Sequence, residues 1–167
     1  MNQTTNIRVL QRRDRLMQEH VHDTYKIRSK PLEPTVCTQC RAVYHRGRWQ
    51  WADSWPYKSH YDLCPACHRT KDRDAAGILT LTGTFVQNHK DEILHLARHL
   101  EAQETQDHPL HRIMSIQELS SAIVIRTTDL HLPHRIGHAL HDSFAGELHY
   151  HYKQESCFVH VEWRREK

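Results

Sequence analysis

The chain has 167 residues, 38% hydrophobic and 26% charged, with a mean hydropathy of −0.79 and a formal charge of +3. That is too apolar for a disordered chain, and no apolar run approaches the roughly 20 residues that a membrane helix needs. The N-terminal stretch lacks the apolar core of an export signal, so the expectation is a cytoplasmic protein with reduced thiols and no membrane partner.

The charge is unevenly divided. Residues 1–75 hold 14 Lys and Arg against 8 Asp and Glu, whereas residues 76–167 hold 9 against 12. A basic front half predicts an anionic partner. Nucleic acid is the commonest, because clustered cations release counterions from phosphate.

Residues 1–34 read as a basic arm and linker. Ile7, Leu10, Met17 and Val21 have helical spacing over residues 6–22, with Arg8, Arg12 and Arg15 on another face, and Pro31 and Pro34 impose an extended connector. Residues 35–75 read as a zinc ribbon. Cys37-Thr38-Gln39-Cys40 and Cys64-Pro65-Ala66-Cys67 each let a tight turn aim two sulfurs at one point, and two such turns supply the four-thiolate shell that structural Zn²⁺ prefers. The 23 residues between the pairs predict a hairpin of Arg46–Trp51 with Ser59–Leu63. A redox CxxC would instead need one pair on a strand-to-helix turn.

Between the pairs, tryptophans alternate with basic residues. Trp49 and Trp51 either stack bases or cover the metal site and dock on the next domain. Arg46, Arg48, Lys58, Arg69, Lys71 and Arg73 are the candidate phosphate contacts.

Residues 76–167 predict an α+β domain. Ile78–Thr82 reads as a strand, and Thr84 as the cap of a helix with Phe85, His89, Ile93, Leu96 and Leu100 inward. Arg112–Glu118 and Ala122–Thr127 form a hairpin, and Asp129 caps a second helix whose stripe is Leu132, Ile136, Leu140 and Phe144. Leu148, Tyr150 and Tyr152 alternate with polar residues, as do Val159, Val161 and Trp163. The order β-α-β-β-α-β with one more strand predicts a ferredoxin-like sandwich, two helices over one face of an antiparallel sheet. His134, His138 and His141 project opposite the apolar stripe, toward solvent. His95 and His99 have the i, i+4 spacing of zinc helices, but Leu96 stands where a metalloprotease carries glutamate. No phosphate loop, dinucleotide turn or nucleophile elbow is present, so no enzyme is expected.

The second cysteine pair leading into Ile78–Thr82, then Ser115-Ile116-Gln117-Glu118-Leu119, Ala122–Thr127, Leu132–Phe144 and Gly146–Trp163, resembles the NMD-three family of large-ribosomal-subunit export adaptors. With Val43-Tyr44-His45 and Arg48-Trp49-Gln50-Trp51, the chain resembles more closely the short bacterial proteins that carry an NMD-three-like zinc ribbon and α/β domain. The resemblance covers about residues 25–167. It implies zinc on Cys37, Cys40, Cys64 and Cys67, and a ribosome-associated role contacting ribosomal RNA and protein. The long adaptors carry more cysteine pairs, so nuclear export is not implied, and Arg41 stands where a zinc knuckle often has glycine. The expected function is therefore a non-enzymatic zinc-ribbon protein that binds RNA on the ribosome. The alternatives are a protein–protein adaptor whose zinc only staples the fold, and a histidine-rich metal handler drawing on the 17 histidines.

Overall fold

The structure is a computed structural model that describes residue 25 and residues 30–55, 57–153 and 157–167. The expected helix over 6–22 lies outside the described residues. The chain is α+β, with two mixed sheets and four helices among the described residues.

The first sheet has four strands of three residues each: β1 (Thr35–Cys37), β2 (Val43–His45), β3 (Arg48–Gln50) and β4 (His60–Asp62), in the order β3-β2-β1-β4. The hairpin is β2–β3 rather than the expected pairing of Arg46–Trp51 with Ser59–Leu63, and β4 runs parallel to β1 instead. The physical reason is the Arg46-Gly47 turn. Both residues have positive φ, 52° and 76°, the conformation that closes a two-residue hairpin with the right twist. The Glu33 carboxylate accepts from both turn amides, at 2.7 and 3.0 Å. Arg46 thus occupies the turn and does not share a strand face with Arg48. At the first knuckle, Arg41 takes φ 69°, the left-handed conformation for which glycine is otherwise used, at a cost of about 1–2 kcal/mol.

The second cysteine pair opens α1 (Pro65–Asp72), with Cys64 as its N-cap and Pro65 in the first turn, where a missing N–H costs nothing. The helix stops at Arg73, which adopts φ 57°.

The second sheet is built from β5 (Gly77–Thr82), β6 (Ile113–Glu118), β7 (Ala122–Thr127), β8 (Glu147–Lys153) and β9 (Phe158–Arg164), ordered β6-β7-β5-β9-β8. Strict alternation in β5 and β9 turns Leu79, Leu81, Val159, Val161 and Trp163 to one face, where they meet Ile93 and Ala97 of one helix and Leu132, Ile136 and Leu140 of another. The sheet departs from the expected antiparallel arrangement. β9 enters between β5 and β8 and pairs with β5 in parallel, from Gly77↔Val159 to Thr82↔Arg164.

The first long helix is also divided, into α2 (Thr84–Asn88) and α3 (Lys90–Asp107), with a break at His89, whose ring stacks on Phe85 at 4.0 Å. Thr84 is not the cap. Gly83 holds that place at φ 105°, because a Cβ there would meet the Arg165 carbonyl, and the Thr84 hydroxyl bonds to the Glu166 carbonyl instead. Asp129 does act as expected. Its Oδ2 accepts from His131 and Leu132 amides at 2.7 and 3.0 Å, at the start of α4 (His131–Phe144). Gly137 lets α4 settle on Val161 and Leu148, to which an added Cβ would stand 3.0–3.1 Å away.

Of the α4 histidines expected to face solvent, His138 is exposed, while His134 and His141 are half-buried. Tyr150 and Tyr152 rise from β8 and cover one flank of the helix, so His134 stacks on Tyr150 at 4.4 Å and pairs with the Tyr152 hydroxyl at 2.6 Å. Among the described residues, no helix is long and apolar enough to cross a membrane.

Candidate metal centre

The two knuckles bring Cys37, Cys40, Cys64 and Cys67 together, with all four sulfurs within 4.8 Å of one another. Cys37 and Cys64 are fully buried. None is in a disulfide, and the Cys40–Cys64 sulfurs stand 3.7 Å apart, far beyond a covalent S–S bond. A tetrahedral zinc shell with bonds of about 2.3 Å has sulfur–sulfur edges near ~3.8 Å. The donor set therefore fits a metal ion of zinc's size and taste. Backbone amides complete each knuckle: Cys37 Sγ accepts from Cys40 N at 3.5 Å and Cys64 N at 3.3 Å, and Cys64 Sγ accepts from Cys67 N at 3.4 Å. These donors stabilise negative sulfur and orient the thiolates.

The titration pattern has a physical cause in this crowding. The hydrogen bond with Cys64 holds the Cys40 thiol well below the ordinary thiol range, while the same contact and burial push Cys64 up. A metal bound by these sulfurs would displace the thiol protons. Cys64 does cap a helix, as a redox CxxC would, but its sulfur is buried among three others rather than exposed to a substrate. A closed four-sulfur set is of the structural kind, without a position reserved for water.

The second sheet contributes one cation that the sequence reading missed. Arg112, just before β6, places Nη2 at 3.3 Å from Cys64 Sγ, 3.5 Å from Cys67 Sγ and 3.7 Å from Cys40 Sγ. Leu110 and Leu63 pack against the cluster, as does Trp49, which is tilted on Tyr44 at 5.6 Å. Trp51 is part exposed, yet its indole N–H donates to the Thr105 carbonyl of α3 at 2.6 Å. Both rings are thus engaged in covering the site and docking the ribbon. Between Trp51, α3 and Arg112 lies an open cleft of about 520 Å³.

The candidate phosphate residues divide into two groups. Arg46, Arg48, Lys58, Lys71 and Arg73 are exposed, whereas Arg69 is buried, paired with Asp74 at 3.6 Å and covered by the Tyr25 ring at 4.5 Å. Cys157 is half-buried and stands apart from the cluster. His95 and His99 are exposed on α3 and belong to no group of converging ligands among the described residues.

A second unforeseen cluster lies beside Arg112. Glu104 on α3 meets His111 at 2.9 Å and ion-pairs with Arg135 of α4, and His111 stacks between His108 and His131. Burial would raise the Glu104 carboxyl, but contacts with His111 and Arg135 outweigh it and hold the group below the usual glutamate range. A depressed carboxyl contributes stability above its unfolded pKa, roughly 4.3, and loses it as pH falls through the folded value. Glu104→Gln is therefore expected to destabilise by about 1–3 kcal/mol near pH 7, with the gap from wild type closing as pH falls below 4. Urea unfolding at both pH values measures this, and a gap independent of pH would contradict it. Compared with protein-family models, curated proteins and solved structures, the chain matches none.

Proposed function

We propose that the chain is a non-enzymatic zinc-ribbon protein that binds RNA through the ribbon's exposed cations, with ribosomal RNA of the large subunit as target. The observation that carries this reading is the state of those cations. Among the described residues, Arg46, Arg48, Lys58, Lys71 and Arg73 all reach solvent and make no ion pair, while the four-cysteine cluster fixes the backbone that presents them. Cations left without a partner on a rigid support are what phosphate recognition requires. The resemblance to NMD-three-like proteins supports the ribosome as the place of action. With Trp49 packed on the cysteine cluster, the Trp51 indole tied to Thr105 and Arg69 engaged, the interface reads phosphate rather than stacked bases.

Fluorescence anisotropy with a ribosomal RNA fragment across a salt series tests the proposal. Arg46→Glu with Arg48→Glu is expected to weaken binding at least tenfold and to lower the salt slope by roughly 2, about 1 per lost phosphate contact. An unchanged slope removes both residues from the interface. If the protein sediments away from ribosomal particles, and its complexes from lysate survive RNase, the adaptor reading takes its place.

A further inference from the structure

We propose that Arg112 is an outer partner of the metal centre, and that through it metal binding locks the ribbon against α3 and β6 of the second sheet. This rests on reading the four cysteines as a metal site, and it is independent of RNA binding.

Four thiolates around a divalent cation carry a net charge of −2. Buried negative charge of that size is tolerable only where cations or N–H donors neutralise it. The knuckle amides supply dipoles, and Arg112 supplies a full charge, capping the sulfur face made by Cys40, Cys64 and Cys67 with one nitrogen. Among the described residues, no other Lys or Arg side chain contacts these sulfurs. Arg112 is separated from its three partners by 45–72 residues and leads directly into β6 of the other sheet.

The arginine is also held firmly from behind. Thr128 donates its amide to the Arg112 carbonyl at 2.9 Å, and its hydroxyl accepts from the Arg112 amide at 2.9 Å while donating to Leu110 O at 2.6 Å. Thr128 is the residue before Asp129, which caps α4. The guanidinium is thus aimed by a rigid part of the second sheet, and its buried Nε makes no hydrogen bond. An orphaned donor beside a triple sulfur contact is a cost that only the charge of the cluster offsets. Without an ion, only the weak knuckle amide bonds and the Cys40–Cys64 contact hold the four sulfurs together. The three acceptors under Arg112 then disperse, and what remains at the seam is Leu110 and the Trp51–Thr105 bond. Metal occupancy in the ribbon is in this way communicated to α3 and β6.

Hydrogen exchange on the full chain, zinc-loaded and chelator-stripped, tests the coupling in wild type, Arg112→Met and Arg112→Lys. In wild type, stripping should raise exchange in residues 35–67 and also in 98–118. Zinc-loaded Arg112→Met should keep one zinc per chain, exchange in 98–118 like stripped wild type, and release zinc to a chelator about 10–100 times faster. Arg112→Lys, which keeps the charge on a smaller donor, should fall between and serves if the methionine variant does not fold. In the cobalt-loaded variant without the donor, the thiolate charge-transfer band should move to longer wavelength, a change that loss of packing alone would not produce. Variants that hold zinc and protect 98–118 as wild type does would overturn the role of Arg112. A wild type that binds no zinc would instead remove the metal site itself.

Discussion

Cys64→Ser is expected to abolish tight zinc binding and to unfold residues 35–67. The ribbon has almost no core of its own. Its strands are three residues long, and beyond the cysteines its fully buried apolar side chains are few and small, Val36 and Ala42 among them. Modules of that size are held by metal or disulfide rather than by burial, and apparent zinc free energies of about 10–16 kcal/mol exceed anything such packing supplies. Cys64 also has the most to lose as a single residue. It caps α1, its sulfur accepts from Cys67 N and from Arg112, and it touches Cys40. Zinc stoichiometry by native mass spectrometry, with exchange rates over 35–67, reads the result. Cys157→Ser serves as the control and should retain one zinc per chain. A metal-free Cys64→Ser protein with a fully protected ribbon would show that the sulfurs are not what holds it.

Trp163→Ala should cost about 3–5 kcal/mol, a large share of the 5–15 kcal/mol available to an ordinary domain. Trp163 is fully buried beside the central strand, opposite Leu81 in register, with its ring edge-on to Phe85 at 6.2 Å. Its indole N–H donates to Ala145 O at 2.9 Å, closing the turn after α4. Truncation leaves a cavity under α2 and strips a carbonyl of its donor, two penalties that add. Trp163→Phe refills most of the space but not the hydrogen bond, so it should lose clearly less. Urea midpoints at fixed zinc measure the difference. Equal losses for the two variants would mean that the cavity contributes little.

What was legible in the sequence was local. Two CxxC pairs declare a metal site because each pair needs only its own turn, and the alternation of Leu79, Leu81, Val159 and Val161 declares strands because the pleat has period two. Placement across the chain was not legible. β8 and β9 carry similar alternation, so pattern alone cannot say which lies beside β5, and the parallel pairing of Gly77 with Val159 has no local mark. Arg112 follows a His-Pro-Leu-His run that reads as a loop, and its meeting with sulfur depends on how β6 lies against the ribbon. Arg69 looked like one cation among several until Tyr25 and Asp74 enclosed it. A helical wheel sends His134 to solvent because it counts residues of one helix and knows nothing of tyrosines arriving from β8.

The position of β9 has a kinetic consequence. It pairs with β5 across a separation of about 80 residues, while the ribbon closes within a span of about 30. Contacts so distant along the chain form late and slowly. During translation, the cysteine module can capture its ion and set while the larger hydrophobic face still waits uncovered for Val159, Val161 and Trp163 to emerge. Until then, β5 presents a bare edge to whatever surrounds the nascent chain.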